Sequence, residues 1–153
     1  MNWDSQHLTA AHGYADLGLW LDANAELEQI SPEFRNVSEV LALHVRIYRA
    51  LEKWESMQIV ARQLALRDPQ DVDATISWAY AVRRVECIES ARLILSAAVE
   101  RLPGAGLLHY ELARCECLLG EVEKAKEWLR SAFDLEPWLR VRALNDLEFE
   151  QVS

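Results

Sequence analysis

Glycine and proline are scarce in this chain, with five of the first and four of the second among 153 residues. The usual interrupters of a helix are therefore few. Cysteine is equally sparse. Cys87, Cys115 and Cys117 are an odd number without the spacing of a disulfide framework. Cys115 and Cys117 stand two positions apart, so on a helix they point about 200° from each other and do not chelate one ion from the same face. Small apolar packing is their simpler role, and neither a metal site nor a cofactor is expected. No apolar run approaches the roughly 18 residues that a membrane span needs. Basic charge is in deficit as well, with 16 Lys and Arg against 25 Asp and Glu and a net charge of −9. Phosphate binding rests on a surplus of cations, so nucleic acid and anionic membrane are disfavoured as partners. The opening Met1-Asn2-Trp3-Asp4 lacks the charged and apolar regions of a secretory signal, and a cytoplasmic protein is expected.

What the chain does have is apolar material, 51% of its residues, in a length suited to one domain spanning 1–153. Residues such as Leu93, Leu95, Ala98 and Val99 do not alternate with polar ones, and the spacing predicts an all-α fold. Steps of 34 residues align columns of similar chemistry. One column holds Ala11, Val45, Ala79 and Ala113. Others hold Leu17, Leu51, Val85 and Leu119, then Trp20, Trp54, Ile88 and Val122, then Ala23, Met57, Ala91 and Ala125. Two more hold Leu27, Ala61, Leu95 and Leu129, and Ile30, Leu64, Ala98 and Ala132. The units run approximately over 4–37, 38–71, 72–105 and 106–139, with a cap over 140–153.

Each unit reads as two helices, in the last copy over about 106–118 and 121–134. Gly18 and Gly120 supply the turn between them, and Glu52 and Glu86 occupy the same place in the middle copies. Pro69, Pro103 and Pro137 recur at 34-residue intervals and stop the second helices. Pro32 comes three residues early, which predicts a shorter second helix in the first unit. Ala79, Ala91, Ala113 and Ala125 let helices approach closely, and Trp20, Trp54 and Leu129 fill the space between pairs. A helix pair cannot bury both faces alone, so stability comes from stacking. Trp138, Val141 and Leu144 are expected to form the apolar face of a C-terminal capping helix. His44 shares a column with Ala10, Trp78 and Leu112 and reads as a hydrogen-bonded core residue.

These residues resemble the tetratricopeptide repeat family over 4–139. The fit is closest in "LHYELARCECLLGEVEKAKEWLRSAFDLEP", where Leu112, Ala113, Gly120, Ala125, Ala132 and Pro137 follow the family pattern in order. The third unit keeps Trp78, Ala79, Ala91, Ala98 and Pro103. Val45, Met57 and Glu116 depart from the pattern. The resemblance implies a right-handed α-α superhelix of four helix pairs, and a scaffold that binds peptides on the concave surface lined by first helices. On that basis the groove carries Ser5, Leu8, His12, Ala15 and Asp16, then Glu39, Ala42, Arg46, Arg49 and Ala50. It continues with Asp73, Ile76, Tyr80, Arg83 and Arg84, and then Leu107, Tyr110, Arg114, Cys117 and Leu118. Five arginines face three acids there, although the whole chain is acidic. Arg46, Arg49, Arg83, Arg84 and Arg114, with Tyr80, Tyr110 and His12, are the candidate groove for an acidic peptide. The same arginines also suit a purely structural role, complementing helix C-termini or pairing with acids on neighbouring helices.

The family's carboxylate clamp for chaperone tails requires Lys and Asn where Leu8, His12, Leu43, Asp73 and Ser77 stand, so that mode is not expected. A chaperone for an apolar segment of a secreted or assembling protein is the alternative, with contacts through Leu8, Ile76, Leu107, Tyr110 and Leu118. Self-assembly as a homodimer through Trp3 and Trp138 is another. His7, His12, His44 and His109 form no nucleophile-plus-base or metal-ligand pattern, and an enzyme is not expected.

Overall fold

Local causes set the helix boundaries in the computed structural model, which describes residues 2–152. Among the described residues are α1 (Trp3–Asp16), α2 (Trp20–Glu28), α3 (Ser38–Ala50), α4 (Trp54–Arg67), α5 (Val72–Val85) and α6 (Ile88–Arg101). They are followed by α7 (Gly106–Leu118), α8 (Val122–Leu135) and α9 (Leu139–Leu144), with short 3₁₀ helices at Pro32–Phe34 and Leu147–Val152. The Asn2 side chain accepts from the Ser5 N–H at 2.7 Å, and Asp71 accepts from the Ala74 N–H at 3.0 Å. Each cap satisfies an N–H that the first helical turn leaves without a partner. Helices α4, α6 and α8 end two residues before Pro69, Pro103 and Pro137. In the first unit Pro32 stands at the start of a 3₁₀ turn, and α2 has 9 residues where α4, α6 and α8 have 14.

The turn between helices needs a left-handed residue in three of the four units. Gly18 and Gly120 supply it at φ +75° and +81°, while Glu52 adopts φ +57° with a side chain attached. An L-residue there carries about 1–2 kcal/mol of steric cost that glycine avoids. In the third unit Glu86 takes a negative φ of −111°, and that turn follows a different path.

Four of the six repeat columns are buried in every copy: those beginning at Ala11, Ala23, Leu27 and Ile30. Adjacent helices pack in sequence from α1 to α8, and each unit's core is closed by the first helix of the next. Val40, Leu43 and Ile47 of α3 complete the first cluster, Ala74 and Ala81 of α5 the second, and Leu108, Leu112 and Cys115 of α7 the third. The column beginning at Leu17 works backwards: Leu51 packs on the cluster of the preceding unit. No unit among the described residues precedes Leu17 to cover it, and it is 74% exposed, so its column is only partly a core column.

No fifth unit closes the fourth cluster among the described residues. Leu139 and Phe149 do so instead, packed with Tyr110, Cys117, Leu129 and Ala132. This corrects the expected apolar face of the cap: Trp138, Val141 and Leu144 are all exposed. Helix α9 has only 6 residues before the chain turns at Asn145, so its first residue and the following 3₁₀ segment bury the apolar surface. His44 is also corrected. It is half-buried and stacks on Tyr48 at 5.2 Å in place of a core hydrogen bond, and burial lowers its pKa against a smaller opposing pull from Glu28. Cys87 is exposed, whereas Cys115 and Cys117 are buried. Burial first, then the charge of Glu111, pushes the Cys115 thiol up to about 11 and keeps it an uncharged packing group. None of the described helices is long and apolar enough to cross a membrane.

Candidate peptide-binding groove

First helices of neighbouring units touch directly, α1 with α3 and α5 with α7. Such contacts put the first helices on the inner side of a curved stack. Helix periodicity then sends Arg46, Arg49, Tyr80, Arg83, Tyr110 and Arg114 towards one another, and the chain divides them into an open half and a covered half.

In the open half, guanidinium groups lie on aromatic rings. Arg49 stands 4.5 Å and Arg83 4.8 Å from the Tyr80 ring centre. Tyr80 meets Trp54 edge-on at 5.4 Å, and Arg84 lies 4.8 Å over the Trp54 ring. Arg84 therefore sits beside Lys53, Glu55 and Ser56, at the edge formed by the start of α4. Arg46 is 5.9 Å from the Trp20 ring and 3.4 Å from Asp16 Oδ1. His12 Nε2 lies 3.3 Å from Glu39 Oε1 without an aligned hydrogen bond. Arg49 and Arg84 are exposed, and no ion pair joins either to a carboxylate among the described residues. Stacking on a ring orients a guanidinium and removes little of its capacity to donate in plane.

The covered half is occupied by the chain's own C-terminal segment. Arg114 grips Asp146 with two parallel contacts, Nη1 to Oδ1 at 3.2 Å and Nη2 to Oδ2 at 2.8 Å. The Tyr110 hydroxyl donates to the same carboxylate at 2.9 Å, and the Glu148 N–H donates to Asp146 Oδ1 at 3.1 Å. Arg83 Nη1 donates to Glu148 Oε2 at 3.1 Å, with Arg114 Nη1 3.5 Å from that oxygen. The Cys117 thiol donates to the Glu148 carbonyl at 2.9 Å. Phe149 packs edge-on against Tyr110 at 5.2 Å, with the Arg114 guanidinium 5.5 Å from its ring centre. Tyr110 is 0% exposed as a result.

These contacts bias the ionisation of the groups that make them. Burial, then the hydrogen bond and charge of Asp146, pushes the Tyr110 hydroxyl far above the usual tyrosine value, against smaller opposing pulls from Arg114 and Arg142. Burial opposes the charge on Arg114, but Glu111, Asp146 and Glu148 outweigh it and hold the guanidinium firmly protonated. For Asp146 burial favours the neutral acid, and the hydrogen bonds from Arg114 and Tyr110 overcome it, holding the carboxyl below its ordinary range.

Position along the helices points to the candidate groove residues but not to Asp146, Glu148 and Phe149. The available signal was the run "NDLEFE", one aromatic among four acidic or amide side chains, which fits a positively charged surface better than a solvated helix end. Among the apolar groove positions, Leu8, Ile76 and Leu107 pack against core clusters, and Leu118 remains exposed.

No protein-family model and no curated protein matches the sequence. Solved structures do match in shape. "Crystal structure of MamA protein" aligns over 97% of this chain and 81% of its own, with a TM-score of 0.75 at 15% identity. "MamA 41-end from Desulfovibrio magneticus RS-1" aligns over 90% and 77%, with a TM-score of 0.73 at 18% identity. "MamA MSR-1 C2" gives 86%, 75%, 0.71 and 17% for the same measures. Identities this low establish a shared fold: consecutive helix pairs of the tetratricopeptide type.

Proposed function

We propose that the chain is a non-catalytic interaction scaffold that binds an acidic peptide segment of a partner protein along its first helices. The observation that carries this reading is the pair Arg49 and Arg84, exposed, each set on an aromatic ring and each without a carboxylate partner among the described residues. A peptide carboxylate meeting either guanidinium gains charge-assisted hydrogen bonds from a donor whose orientation is already fixed. Arg46 and Arg83, partly engaged by Asp16 and Glu148, extend the same surface. The alternative of shielding an apolar segment has less to support it, because Tyr110 is covered and Ile76 and Leu107 are half-buried against core clusters.

An array of acidic, neutral and basic peptides tests the reading. Selective capture of acidic members, weakened by added salt and by Arg49→Glu with Arg84→Glu, is the expected result. Equal capture by the wild type and the double charge reversal would reject it.

A further inference from the structure

The segment that closes the fourth helix pair does more than bury apolar surface. Its two anchors are Asp146, held by Arg114 and Tyr110, and Phe149, which is 4% exposed. Glu148 lies between them and reaches Arg83 on α5, a helix of the preceding unit. Leu139, on α9, is buried, but Leu144 and Leu147, which flank Asp146, are exposed. Beside it Leu129, Phe133, Ala143 and Leu147 line an open recess of about 450 Å³ that no part of the described chain fills. A pure cap would bury its leucines and fill that space, since protein interiors are close-packed. Here the well-made contacts are those between carboxylates or an aromatic ring and the groove's arginines and tyrosine.

We infer that Asp146–Phe149 is an internal competitor for the groove, and that the partner segment has the same chemistry: a carboxylate, a spacer, a second carboxylate and an aromatic ring in succession. This rests on the reading that the groove takes an acidic segment, and it names the kind of segment and the event that admits it. With the tail in place, Arg83, Arg114 and Arg142 face Glu111, Asp146 and Glu148, and the cluster is neutral. When the segment leaves, Asp146 and Glu148 go with it, while Arg142 stays on α9. Arg83, Arg114 and Arg142 then face Glu111 alone, next to the uncompensated Arg49. The surface becomes cationic when Tyr110 is exposed, and an acidic segment with an aromatic ring complements both features. Binding therefore carries the cost of displacing the internal copy, which lowers apparent affinity until a stronger competitor arrives.

The probe is a labelled, end-blocked peptide, Leu-Asn-Asp-Leu-Glu-Phe-Glu, copied from residues 144–150. Its binding to the full chain is followed by fluorescence anisotropy. Asp146→Ala with Phe149→Ala is expected to bind it at least about tenfold more tightly than the wild type does, and Arg114→Ala added to that pair should remove the gain. Glu148→Lys sets a cation against Arg83 and Arg114 without cutting into the core, and should also raise affinity; it serves where the double variant does not fold. Equal affinity of wild type, double variant and Glu148→Lys would overturn the inference, as would a gain that Arg114→Ala leaves intact. If the acidic arrays still bind through Arg49 and Arg84 while unmasking gives no gain, the internal competitor is rejected and the groove reading stands. If no acidic peptide binds any form, both are rejected.

Discussion

Replacing Phe149 with alanine is expected to release the C-terminal segment while leaving helices α1–α8 folded. Phe149 is nearly fully buried against Tyr110 and the fourth cluster, so losing the ring removes about 3–5 kcal/mol of packing. What remains is the Asp146 and Glu148 contact set. Its charge-assisted hydrogen bonds contribute roughly 1.5–3 kcal/mol each at best, and less where water reaches them. Ordering the backbone of residues 145–149 costs about 1–2 kcal/mol per residue. With the ring gone, the remaining bonds and the ordering cost are of the same size, so the segment spends much of its time released. Undocking limits the loss, so the rest of the stack loses only the net docking free energy. Hydrogen exchange should therefore rise sharply at 146–150 and hold steady in α3 to α6. Ultraviolet titration gives a second readout. Tyr110, held well above the usual tyrosine value in the docked state, should ionise near the ordinary value of about 10 once Asp146 and Phe149 leave. Unchanged exchange at 146–150, or a loss of protection shared by every helix, would refute the idea that the segment docks as a separable unit.

Docking should depend on pH at both ends of the scale. Asp146 has a depressed folded pKa, so its contribution is present above the ordinary aspartate value near 4 and fades as pH falls through the lower folded value. Tyr110 has a raised pKa, so its contribution is present below about 10 and fades as pH rises further. Exchange at 146–150 that is constant between these limits and faster outside them, after correction for intrinsic rates, is the expected profile. Glu52→Gly should raise stability by about 0.5–1 kcal/mol, since glycine relieves the φ of +57° at some cost in chain entropy, and denaturant unfolding measures it. Glu116 is buried and its Oε2 lacks a hydrogen-bond partner, while Arg92, its partner at 3.3 Å, is partly exposed. Glu116→Leu should therefore be neutral or stabilising by about 1 kcal/mol in the same assay, because Arg92 can turn to water; a loss above about 2 kcal/mol would show that the pair holds α6 and α7 together.

The repeat made most of the fold legible. A period of 34 placed α7 at the residues where it occurs, placed α8 one residue early, and named four columns that are buried in all copies. Such columns are readable because every unit solves the same packing problem. The two ends do not, and two misreadings lie there: no described unit precedes Leu17, and Trp138, Val141 and Leu144 are expected on a face that Leu139 and Phe149 take; the third, His44, lies inside the second unit, where it stacks on Tyr48. The groove arginines were legible from helix position, but their neighbours were not. Arg114 and Asp146 are 32 residues apart, and no local pattern announces a pairing that the chain makes only by folding back across its own surface.

The groove itself is open to one decisive measurement: nitrogen-15 NMR of the full chain, titrated with an acidic peptide and observed at the arginine Nε–H and tryptophan indole N–H groups. Shifts at Arg49, Arg84 and Trp54 that saturate with the peptide, shrink with salt and vanish when its carboxylates become amides are expected from guanidiniums held on Tyr80 and Trp54. Shifts that leave these three groups untouched and appear elsewhere on the molecule would contradict an acidic peptide groove on the first helices.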